Sequence, residues 1–172
     1  MAMNVNPRNY WIKQIMGYVQ HYNPDKYWHR RQIVVEPNNK VPYIIKLWFL
    51  YYIKKCDAFN NASMGTDINQ GAQFITRPIL PHGLNGIIIH HQAKIGSNVT
   101  ICQQVTIGDS WKPGDGLPQI GNNCKIGAGA KILGGIKIGN NCVVGANAVV
   151  TKDVPDNTTV VGSTTRYFAG KE

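Results

Sequence analysis

The chain is poor in acid, in cysteine and in long apolar runs, and each scarcity removes a class of protein. Nine Asp and Glu stand against eighteen Lys and Arg among 172 residues, a formal charge of +9 that suits anionic ligands. The basic residues form no run, and no zinc, helix-turn-helix or aromatic stacking motif accompanies them, so nucleic acid is not an expected partner. The four cysteines, Cys56, Cys102, Cys124 and Cys142, show no CxxC spacing and no companion His at ligand distance, so no metal is expected. The most apolar stretch, Val41 to Ile53, is too short to span a bilayer and is broken by Lys46. With no cleavable signal pattern, a cytoplasmic protein with reduced thiols is expected. A peripheral contact with the inner membrane surface, made by the basic and aromatic N-terminal region, stays open.

What is present divides near residue 61. In residues 1–61 the apolar spacing is helical: Trp11, Ile12, Ile15, Met16 and Val19 mark one face of a helix over Asn9 to Gln20. Pro24 opens a second helix running to about Ile33, Pro37 marks a loop, and Pro42 opens a third helix ending near Cys56.

From Ile89 the period becomes six. Branched residues recur at Ile89, Ile95, Ile101 and Ile107, then at Ile120, Ile126, Ile132, Ile138, Val144 and Val150. The fifth position of each hexad is small or apolar too, from Ala93 to Val154. Neither a helix nor a lone half-buried strand has this period. Very short strands joined by tight turns do, with three hexads closing one triangular coil. The fold expected for residues 62–162 is therefore mainly β, a left-handed parallel β-helix, with the helical region at one end and a tail at 163–172. Cys124 and Cys142, eighteen apart, read as stacked interior residues rather than a disulfide. The helices and the tail are candidates to cover the ends of the solenoid.

Two breaks interrupt the lattice. Between Ile107 and Ile120 the spacing is 13 instead of 12, and the turn-rich segment 109–119 reads as a protruding loop carrying Trp111. Between Phe74 and Ile89 the spacing is 15, and this stretch holds His82 on an irregular backbone where an imidazole can act as a base. His90 and His91 occupy turn positions and read as structural; His21 and His29 receive no role.

The segments Thr66-Asp-Ile-Asn-Gln-Gly-Ala, Leu80-Pro-His-Gly-Leu-Asn-Gly, Ile101-Cys-Gln-Gln-Val-Thr-Ile-Gly and Ile126-Gly-Ala-Gly-Ala-Lys-Ile-Leu-Gly resemble the serine O-acetyltransferase family of hexapeptide-repeat enzymes, over about Thr66 to Gly162. The resemblance implies an acetyl-CoA-dependent acyltransferase with His82 as general base and Asp67, fifteen residues earlier, orienting it. It also implies Ala128 and Ala146 along the pantetheine arm; Gly108 is expected on the coenzyme as well, and Lys152, by its charge, at the coenzyme phosphates. Gly83 and Gly108 would serve the oxyanion, and the Trp111 loop would reach over a neighbour in a homotrimer with sites between subunits. Two departures, Pro81 before the His and Leu117 before Pro118, remove groups that help hold serine in that family. They turn the expected acceptor toward a saccharide hydroxyl, as in the shorter relatives found with polysaccharide biosynthesis. Serine O-acetyltransferase proper and a non-catalytic β-helix scaffold are the alternatives.

Overall fold

The computed structural model describes residues 10–162 apart from Pro113, with side chains from residue 15 onward; the tail at 163–172 lies outside the described residues. Three helices come first: α1 (Tyr10–Val19), α2 (Pro24–Val35) and α3 (Tyr43–Phe59). The side chain of Asn23 accepts from the Lys26 N–H at 3.0 Å, and Pro24 takes the first helical position, where no N–H is needed. α3 continues past the end expected at Cys56, because the stop is supplied later. Asn60 Nδ2 donates to the Cys56 carbonyl at 2.8 Å and to that of Gln20 at 3.1 Å, satisfying helix-end acceptors. Among the described residues no helix is long and apolar enough to cross a membrane.

Short strands follow: β1 (Thr66–Asp67), β2 (Gln70–Gly71), β3 (Gln73–Phe74), β4 (Ile88–Ile89), β5 (Lys94–Ile95), β6 (Thr100–Ile101) and β7 (Thr106–Gly108). Then come β8 (Gln119–Ile120), β9 (Lys125–Ile126), β10 (Lys131–Leu133), β11 (Lys137–Ile138), β12 (Val143–Val144), β13 (Val149–Val150) and β14 (Thr159–Val160). Three parallel sheets form the walls of a triangular prism: β4-β7-β10-β13, β3-β5-β8-β11 and β6-β9-β12-β14. We call these the first, second and third sheets. Ile126 lies beside Val144 and Ile120 beside Ile138, so one coil is eighteen residues, as in a left-handed β-helix of hexapeptide repeats.

The period of six marks the interior. All ten hexad residues from Ile89 to Val150 are buried, as are Ala93, Val99, Val105, Cys124, Ala130, Ile136, Cys142, Ala148 and Val154. Each buried Ile or Val contributes about 1.5–3 kcal/mol relative to exposure. The thiols of Cys124 and Cys142 are free; each donates to a carbonyl of the coil above, Gly139 or Pro155, at 3.1 Å. At one edge Asn98, Asn123, Asn141 and Asn157 all adopt left-handed backbone, which Asn tolerates better than branched residues. Their amides hydrogen-bond in a ladder from coil to coil at 3.0–3.2 Å.

The breaks resolve differently from their sequence spacing. Ile107 and Ile120 lie on consecutive sheets, one side apart rather than two, so the segment between them holds seven extra residues instead of one. They leave the coil as the loop over 109–118, closed by Ser110 Oγ donating to Asp115 Oδ2 at 2.5 Å. In the other break, Ile79 bridges Thr100 on the third sheet, and the excess residues form the turn 81–86. The helices cover the first coil, with Tyr27, Val34, Ile53 and Cys56 buried beside Met64 and the Trp28 ring edge-on to Phe74 at 5.1 Å.

Candidate functional site

The chain approaches the first sheet at one corner of the prism and leaves it at another, and the expected site residues divide between these two corners. At the exit corner of the first coil, β1 and β2 form a small antiparallel hairpin that carries Asp67. Gly65 opens it with φ 55, and a Cβ there would stand 2.8–2.9 Å from the Ile89 and His90 carbonyls and the Cα of His91. Only glycine lets the hairpin sit this low on the next coil.

Asp67 looks into a cleft of about 550 Å³, shared with Lys54, His90, His91, Gly108, Asp109 and Trp111. Lys54 Nζ lies 3.6 Å from Asp67 Oδ1, both side chains half-exposed, a weak pair on its own. The His90 and His91 rings are 4.3 Å apart. Burial, and then the neighbouring His91, push the His90 imidazole below its ordinary value, which favours its neutral form. Gly108 closes β7, and a Cβ added to it would meet nothing within 4 Å, so open space lies before this backbone. Trp111 is 92% exposed at φ 63, and Lys152 follows β13 on the same corner, exposed.

His82 stands at the approach corner, exposed on the turn 81–86. Leu84 and Ile87, fully buried, anchor the far end of that turn, and the Gly86 N–H donates to the Asn60 carbonyl at 2.9 Å. Gly83 is beside it at φ 65, against Gln20 and Tyr22. Higher on this corner Ala128 and Ala146 lie one coil apart, with the Asn147 N–H donating to the Ala128 carbonyl at 2.8 Å. Ala128 is half-buried and Ala146 exposed.

Within one chain the structure therefore brings Asp67, Gly108, Trp111 and Lys152 to one corner, and His82, Gly83, Ala128 and Ala146 to the other. It does not bring Gly83 to Gly108, nor Gly108 and Lys152 to the two alanines, because the width of the first sheet intervenes. Among the described residues no hydrogen bond or ion pair joins Asp67 to His82. Sequence reasoning missed Lys54 in the Asp67 cleft and gave Arg31 no role, although Arg31 shares a helical face with the buried Tyr27 and Val34.

A family model described as bacterial transferase hexapeptide (six repeats) matches residues 118–152. Serine acetyltransferase 1, chloroplastic, of Arabidopsis thaliana is 50% identical over 111 residues, covering 64% of this chain and 35% of that protein. The crystal structure of Neisseria gonorrhoeae serine acetyltransferase in complex with serine aligns with TM-score 0.56 and 35% identity, over 72% of this chain and 48% of that one. Soybean serine acetyltransferase apoenzyme aligns with TM-score 0.59 and 33% identity, over 92% and 57%. The chain spans about a third of the plant relative and just under half of the Staphylococcus epidermidis serine acetyltransferase. These likenesses agree with the hexapeptide β-helix. The relatives named here are serine acetyltransferases, whereas the sequence departures had turned the expectation toward a polysaccharide-type enzyme.

Proposed function

We propose that the chain is an acetyl-CoA-dependent O-acetyltransferase whose acceptor is the hydroxyl of serine, working as a homotrimer with its sites between subunits. The observation that carries this reading is the division of the site residues between two corners of one sheet. A ring of copies sets the approach corner of one subunit against the exit corner of the next, and His82 then meets the partner subunit's Asp67 across the cleft.

In that setting the His82 imidazole takes the proton from the acceptor hydroxyl as its oxygen attacks the thioester carbonyl carbon. The C–S bond breaks, and the imidazolium returns the proton to the departing sulfur. Asp67 fixes the imidazole's tautomer and orientation. Gly108, expected to serve the oxyanion, keeps its N–H in the ladder with β10, so its part is the open space that its missing side chain leaves in the cleft. Ala128 and Ala146 of one subunit take the pantetheine arm, Lys152 of the partner subunit pairs with the coenzyme phosphates, and the Trp111 loop covers the neighbour's site and excludes water.

The acceptor comes from the relatives, which are serine acetyltransferases. A saccharide hydroxyl is the second reading, favoured by Pro81 and Leu117, which offer no polar side chain to an amino acid. Peripheral membrane contact would fall on the exposed row Ile44, Trp48, Tyr51 and Phe59 of α3, with Lys55 among them. The test is release of free thiol from acetyl-CoA with serine, nucleotide sugars and oligosaccharides offered in turn. Serine-dependent release is expected. Release with saccharides alone would move the acceptor to the second reading, and release with none would remove the activity.

A further inference from the structure

Two cations are buried directly behind the hairpin that carries Asp67, and among the described residues neither hydrogen-bonds or ion-pairs with a carboxylate, although the charge of Asp57 is felt at Arg31. Arg31 of α2 is 4% exposed. Its Nε donates to Thr66 Oγ1 at 3.0 Å, and its Nη2 donates to the carbonyls of Met64 (3.1 Å), Gly65 (3.3 Å) and Ala72 (2.7 Å). Its guanidinium carbon lies 5.4 Å from the Trp28 ring centre and 4.7 Å from that of Phe74. Lys46 of α3 is equally buried; its Nζ donates to the Glu36 carbonyl at 2.8 Å and to Asn69 Oδ1 at 2.7 Å. The Asn69 N–H in turn donates to the Val34 carbonyl at 2.8 Å.

A buried cation that bonds only neutral acceptors is a costly way to join a helix to a sheet, and an apolar pair would do it more cheaply. What these cations add is direction. Arg31 grips both ends of the hairpin, through Met64 and Gly65 on one side and Ala72 on the other, and Thr66 next to Asp67 in the chain. Lys46 grips its tip. We infer that Arg31 is a positioning residue for Asp67, with Lys46 as its support, so that the helical region is part of the site and more than a cover for the first coil. This rests on the role proposed above for Asp67.

The test is a double-mutant cycle on turnover, using full-length Asp67→Asn, Arg31→Met and the double variant, with acetyl-CoA affinity and melting followed alongside. Arg31→Met is expected to lower kcat on the order of tenfold or more, with KM for acetyl-CoA within about twofold of wild type. In the Asp67→Asn background it should lower kcat no further, because both changes remove one interaction. A merely structural arginine would multiply the two losses; that result, or unchanged kcat in Arg31→Met, overturns the inference while leaving Asp67 in place. Full activity in Asp67→Asn alone overturns the Asp67 reading and this inference with it. If Arg31→Met does not fold, Thr66→Val and Asn69→Gly go through the same cycle. The first removes an Arg31 acceptor, and the second removes the Lys46 acceptor while permitting φ 59.

Discussion

Asp67 and His82 stand on opposite edges of the same sheet, separated by one side of the prism, so they can serve one site only if different copies of the chain supply them. A side of six residues is ~20 Å at full extension, beyond the reach of the two side chains together. Mixing His82→Ala with Asp67→Asn, each impaired alone, is therefore expected to raise turnover well above that of either variant. Random mixing in a closed ring of three leaves roughly a quarter of the sites intact. Thiol release after co-refolding the two variants measures this; no recovery beyond the separate variants would place both residues in one subunit's site or outside any site.

His82→Ala is expected to lower kcat by about a hundred- to ten-thousandfold, the usual worth of general-base help. Acetyl-CoA affinity should hardly change, since His82 lies on the turn below Ala128 and Ala146, where the coenzyme is proposed to run. Calorimetric titration with CoA, beside turnover, separates the two effects. Wild-type turnover in the variant would exclude the imidazole from the chemistry.

The proposed course of the coenzyme along Ala128 and Ala146 predicts a steric effect on acetyl-CoA alone. Ala146 is exposed on its turn, so Ala146→Leu should fold normally. KM for acetyl-CoA is expected to rise on the order of tenfold, which corresponds to about 1.4 kcal/mol. An unchanged KM would put the pantetheine arm elsewhere.

Asp57 gives a prediction about pH and stability. Burial pushes its carboxyl from 3.8 up to about 6, against the Tyr27 hydroxyl, which donates to it at 2.6 Å, and the charge of Lys54. The folded chain thus holds this proton more tightly than the unfolded chain. The contribution is full below about pH 4, declines as pH rises toward 6 and is level above that, a loss of roughly 3 kcal/mol. Asp57→Asn keeps an acceptor for Tyr27 and should lack this decline. Urea midpoints from pH 4 to 7 compare the two proteins, and parallel curves would refute the assignment.

Much of the scaffold was legible because a solenoid writes its interior into the sequence at a fixed interval. Ile89, Ile132 and Val150 could be placed inside from spacing alone, and so could the stacked Cys124 and Cys142. The breaks were legible as breaks but not as geometry. Counting from Ile107 to Ile120 cannot tell a loop of seven from two hexads and a slip, because only pairing with the neighbouring coils fixes which side Ile120 lines. For the same reason the pairing of Asp67 with His82 that the resemblance implies carried no sign of the side of the prism that lies between them in one chain. Arg31 was hidden differently: its acceptors are the Thr66 hydroxyl and backbone carbonyls more than thirty residues away, which no local pattern marks.

The prism also sets what lengthening or shortening the chain would do. Each coil rests on the one beneath, so excising a single hexad would leave branched residues facing inward and the walls continuous. It would, however, rotate everything above the cut by a third of a turn, carrying the Ala146 step away from the Ala128 step. Evolution and engineering can thus add or delete whole coils while keeping straight the two corners that carry the proposed site residues, but a change of one wall would preserve the scaffold and scatter those residues.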